Sequence, residues 1–146
     1  MSFLDLVTQS VSKANSSKHT LIKIDVVFEK INSDLKNFEP GELKLERASS
    51  TLSQAANLLK KLNRIESEYF QEDVLQLSLT RKNKTASEVA AGWKQHVEGF
   101  PCTLKFAGQE LICSNEIQLI SGISELLSSI AFGNAVNNLI ARLGSA

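Results

Sequence analysis

Apolar residues recur every three or four positions from the start of the chain. Phe3, Leu4, Val7 and Val11 predict a helix, with Ser2 and Asp5 as a weak capping signal. Ser16 and Ser17 offer caps for a second helix over residues 18–37, whose stripe is Leu21, Ile24, Phe28, Ile31, Leu35 and Phe38. Ile22, Ile24, Val26 and Phe28 also fit one face of a strand, which their β-branching favours. The alternation stops while the helical spacing runs on, so helix is the reading taken.

Glu39-Pro40-Gly41 reads as a turn, with Pro40 placed to open the next helix. Leu45, Ala48, Leu52, Ala55, Leu59 and Leu62, followed by Ile65 and Tyr69, predict a long helix from Glu42 to Glu68. The alternative makes Glu42–Arg47 a strand with Leu43 and Leu45 inward, and Ser49-Ser50-Thr51 the cap of a shorter helix. The long helix leads on propensity.

Val74 to Thr80 alternates, with Leu75, Leu77 and Leu79 on one side, as a half-buried strand does. After the polar run Arg81 to Lys84, Thr85-Ala86-Ser87-Glu88 has capping-box spacing. It predicts a short helix carrying Val89, Trp93, Val97 and Phe100 and ending near Gly99 and Pro101. Cys102 to Cys113 is a hairpin candidate with a two- or four-residue loop. Either loop pairs Lys105 with Glu110 and Leu104 with Leu111, whereas an odd loop opposes leucine and glutamate. Asn115 and Gln118 open a last helical region running to Leu143, with a bend or break at Gly133.

These elements make one α+β domain over residues 1–146: a predominantly helical domain with a small antiparallel sheet near 74–80, 102–106 and 110–114, including the hairpin. The N-terminal part, about 1–72, reads as helical, and about 73–146 as hairpin and helices.

Charge and chemistry narrow the function classes. Sixteen basic and sixteen acidic residues cancel, leaving no global field for nucleic acid or anionic lipid. Asp5 interrupts the first apolar residues and no basic residue precedes them, so a secretory signal is not expected and the cytoplasm is the default location. Phosphate-loop, dinucleotide and serine-hydrolase signatures are missing, and two histidines with two cysteines lack metal-site spacing. No cofactor, metal or catalytic residue is therefore nominated. His96 with Cys102 or Cys113 is the one nucleophile–base combination on offer, without an orienting third residue. The acidic group Glu66, Glu68, Glu72 and Asp73 reads as a solvated face. The hairpin register sets Cys102 opposite Cys113, where packed, unbonded thiols are expected.

Between Ile117 and Leu143 only Glu125 and Arg142 are charged, too few for a strongly solvated outer face. That stretch belongs in a core, at a protein interface or, less favoured, on a membrane. The expected function is a non-catalytic interaction protein (adaptor, assembly chaperone or inhibitor) acting through helical surfaces, self-associating and binding another protein. The nominated interface residues are Leu59, Leu62 and Tyr69 of the central run and Ile130, Val136, Leu139, Ile140 and Leu143 of the last. The alternatives are a membrane-associated or assembly-forming protein using Ile117–Leu143, and a small enzyme using a cysteine or histidine.

Overall fold

A computed structural model describes residues 2–48 and 70–144, with backbone alone for 70–72. Helix α1 (Phe3–Leu35) leads into five strands: β1 (Glu42–Ala48), β2 (Phe70–Arg81), β3 (Lys84–His96), β4 (Gly99–Phe106) and β5 (Gln109–Cys113). Helices α2 (Glu116–Leu127) and α3 (Ile130–Leu143) follow. The strands form one antiparallel sheet in chain order, β1-β2-β3-β4-β5. This is an α+β fold, and its sheet is larger than the three segments expected from the sequence.

One face of the sheet carries Leu43, Leu45, Leu75, Leu77, Leu79, Trp93, Cys102, Leu104 and Phe106, all buried in one cluster with residues of the three helices. The registers agree: Leu45 faces Leu77, Trp93 faces Leu104, and Leu104 faces Leu111. Lys44, Glu46, Gln76, Lys94, Lys105 and Glu110 alternate onto the opposite face, as an antiparallel sheet with one solvated side allows. The hairpin has the expected even register, Lys105 opposite Glu110, closed by a two-residue loop, Ala107-Gly108, with φ of 51° and 76°.

Five local expectations are corrected. The predicted pair of N-terminal helices is one continuous α1, because no glycine or proline interrupts residues 3–35 and Ser16 lies mid-helix, its carbonyl accepting the Thr20 hydroxyl. Residues 42–48 are a strand rather than the start of a long helix, and Pro40 sits in the turn before it behind a cis peptide. Pairing with β2 and burial of Leu43 and Leu45 outweigh their helical propensity, so the alternative reading holds there. The rest of that predicted helix, from 49 onward, lies outside the described residues, and the N-terminal part is not wholly helical.

The helix expected after Thr85 is strand β3. Lys82 and Asn83 take positive φ (50° and 67°) in a two-residue hairpin turn, and the Thr80 and Thr85 hydroxyls meet across it at 2.9 Å. Leu75 faces Ala91 while Gln76 faces Val89, so Ala90 is a bulge. The last helical region breaks at Ser128-Ser129, not at Gly133. The Ser129 hydroxyl accepts the Phe132 amide to start α3, which bends 58° away from α2.

Candidate interaction surface

The second half of α1 is anchored to the sheet by several independent contacts. Ile24, Val27 and Phe28 are buried. The Phe28 ring meets Trp93 edge-on at 5.5 Å, and the Arg47 guanidinium lies 4.7 Å above it. Arg47 also pairs with Asp25 and donates to Gln95 Oε1, which accepts the Trp93 indole as well. Asn32 forks onto the outer edge of β1: its amide donates to the Leu45 carbonyl at 2.9 Å and its oxygen accepts the Leu45 N–H at 2.8 Å. This edge of the sheet is thus covered by a helix side chain rather than left to pair with another strand. Higher up, Thr20 packs on Gly99, whose φ of 115° suits glycine; a Cβ there would approach Thr20 Cγ2 to 2.5 Å.

The first half of α1 is built differently. A full capping box starts it: the Ser2 hydroxyl accepts the Asp5 amide and the Asp5 carboxylate accepts the Ser2 amide. Every residue from Phe3 to Ser16 is exposed, including Phe3 (87%), Leu4 (73%), Val7 (56%) and Val11 (53%). At about 100° per residue, Leu4, Val7, Val11 and Ala14 fall on one stripe, roughly 100° around the helix from the buried line of Ile24, Phe28 and Leu35. The stripe also lies opposite Ser12, Lys13, Ser16 and Thr20, which line a groove with Glu98 and Phe100, so it points away from the sheet. On its flanks the Thr8 and Ser10 hydroxyls bond back to the Leu4 and Val7 carbonyls of their own helix. The result is a smooth apolar ridge, about three turns long, with its polar edge groups already partnered.

The nominated interface residues lie elsewhere. Val136 and Leu139 are buried in the core, Ile140 and Leu143 are half-buried against it, and Ile130 is 84% exposed at the start of α3. Leu59, Leu62 and Tyr69 lie outside the described residues. The ridge residues were read from sequence only as a helix signal. The clue that they form a surface is the phase shift between their stripe and the one that follows.

The chemical candidates are engaged in structure. Cys102 and Cys113 are buried, unbonded and opposite each other in register, as expected. Burial, reinforced by Cys113, pushes the Cys102 thiol up to about 12, and burial with nearby Glu125 raises Cys113. Neither is poised as a thiolate nucleophile. Cys102 donates to the Gly99 carbonyl, and His96 Nδ1 accepts the Glu98 amide in the β3–β4 turn. Of the acidic group, only Asp73 has a described side chain, and it is half-buried. Among the described residues, no three histidine, cysteine or carboxylate side chains are grouped to hold a metal ion. No protein-family model, curated protein or solved structure matches the chain.

Proposed function

We propose that this protein is a non-catalytic interaction module that docks through the free half of α1. The observation that carries this reading is the ridge: four helical turns bury none of their own residues, yet present Leu4, Val7 and Val11 in line with Phe3 on their flank. An isolated helix of that length is marginal in water, and a covering surface supplies the missing contacts. The interior, high-pKa thiols and the engaged histidine favour a non-catalytic role over the enzyme alternative. The membrane alternative has less support, because Leu119, Ile123, Leu126, Phe132 and Leu139 of the Ile117–Leu143 stretch are buried in the core. No single helix among the described residues is long and apolar enough to cross a bilayer.

The test replaces Val7 and Val11 with glutamate in the full chain. The variant is expected to keep its unfolding midpoint and lose both self-association by light scattering and capture of partners from host extract. If every association survives in the folded variant, the ridge is not the docking element.

A further inference from the structure

We infer that the ridge on α1 is the seam of an antiparallel homodimer, with a second copy of this chain as its occupant. This rests on the reading of α1 as the docking element and adds the partner and its orientation.

The argument begins with spacing. Leu4, Val7, Val11 and Ala14 repeat at three and four residues, the a/d pattern of two paired helices, and all four are exposed. The same pattern next reaches Lys18, which is exposed too. A parallel pair would set Lys18 against Lys18 in the seam. An antiparallel pair centred on Gln9 does the reverse. Leu4 then meets Ala14 of the other copy, a large side chain over a small one, and Val7 meets Val11. Lys18 falls beyond the end of the opposing ridge.

The anchoring of α1 fits the same arrangement. In the antiparallel pair the overlap runs from Phe3 to Asn15; Ser12 and Lys13 in its last turn line the groove to Glu98 and Phe100 on the side of the helix opposite the ridge, and Thr20 beyond the overlap packs on Gly99. The two sheets therefore sit at opposite ends, and the ridge, facing away from its own sheet, is open to the other copy. Thr8 and Ser10 flank the seam with hydroxyls already bonded to their own helix, so covering them strands no donor.

Area sets the strength. Phe3, Leu4, Val7 and Val11 expose on the order of 450 Å² per copy, against roughly 800 Å² per partner in a standard interface. Flanking Thr8, Ser10 and Asn15 bring the total toward that figure. The dimer belongs at the weak end, forming within the micromolar to near-millimolar range.

Two measurements on the full chain test the proposal. Light scattering across that range should show the mass rising toward twice the 16.0 kDa of one chain, and Val7→Glu should hold it at one. Then V7C and V11C chains are oxidised separately and as an equimolar mixture; the native thiols are buried and do not interfere. The mixture should cross-link several-fold faster than either chain alone. Cross-linking of V7C alone at the mixture's rate would mean a parallel pair and overturn the proposal, while leaving the ridge as docking element. A wild-type monomer throughout overturns it too: the docking reading then survives if Val7→Glu abolishes capture of another protein, and fails with the dimer if it does not.

Discussion

Asn32 offers the sharpest test of how α1 is fixed to the sheet. Its side chain satisfies both the N–H and the carbonyl of Leu45, at 2.8 and 2.9 Å, on the outer edge of β1. Each bond contributes about 0.5–1.5 kcal/mol net, so Asn32→Ala should cost about 1–3 kcal/mol. For a domain near this size, a loss of about 2 kcal/mol lowers Tm by roughly 4–8 °C. Urea unfolding should show the midpoint falling with an unchanged slope, because the exposed surface on unfolding is the same. Asn32→Asp sharpens the test. One carboxylate oxygen can still accept the Leu45 amide, but the other faces the Leu45 carbonyl, which disfavours the charged form. At neutral pH N32D should therefore be no more stable than N32A. Its folded-state pKa is raised above the ordinary ~3.9, so the missing stability returns in acid and is lost as pH rises through the folded value. A loss below about 0.5 kcal/mol in N32A would mean that water replaces the amide freely and that the fork does not hold the edge.

Two glycines should respond in opposite senses. In Gly122→Ala the new Cβ lies 3.0 Å from Leu104 Cδ1 and 3.1 Å from Cys113 Sγ; overpacking of about 1–3 kcal/mol should outweigh the helical gain of about 1 kcal/mol. Adding Cys113→Ala should recover part of the loss in urea titrations. Gly133→Ala, in α3 with open space at its Cβ, should gain about 0.5–1 kcal/mol. Leu139→Ala empties a fully buried site in α3 and should cost about 2–5 kcal/mol by the same assay. Both thiols should titrate as free in denaturant without reductant. Because their folded pKa values are raised, with Cys102 at about 12 against an ordinary 9.0, stability should hold below pH 9 and fall as pH rises toward 12. A flat stability profile from pH 8 to 11 would contradict that burial.

The legible parts of the fold are those where one face alternates without interruption. Leu75, Leu77 and Leu79 announced β2, and the pairing of Lys105 with Glu110 fixed the hairpin register. Strand β3 hid because two signals failed together. Its composition, Ala-Ser-Glu-Val-Ala-Ala, favours a helix, and the bulge at Ala90 puts inward Glu88 and Ala91 three residues apart. That spacing imitates a helical turn. The evidence against a helix is non-local: the Lys82-Asn83 turn and the ladder with β2. Strand β1 was ambiguous for a related reason. Seven residues of helix-forming composition become a strand through partners on β2 and through Asn32, thirteen positions earlier in the chain.

The ridge was half-legible, and the reason lies in how a helix averages its surroundings. A single apolar stripe along α1 would have meant one face against one sheet. Leu4, Val7 and Val11 instead define a line that Ile24 and Phe28 do not continue, while Ser16 and Ser17, which read as caps, suggested a second helix there. The chain keeps the helix and changes the neighbour: the later stripe meets the sheet, while the earlier one faces outward. At the changeover Ser17 already falls on the later line, seven residues before Ile24, and Ser16 and Ser17 both line the groove against Glu98 and Phe100. Two out-of-phase apolar stripes in one unbroken helix, joined by small polar residues, thus describe a helix with two different obligations. The outward stripe carries no obligation to the sheet, so replacing its valines should leave the fold's stability intact while changing what the protein binds.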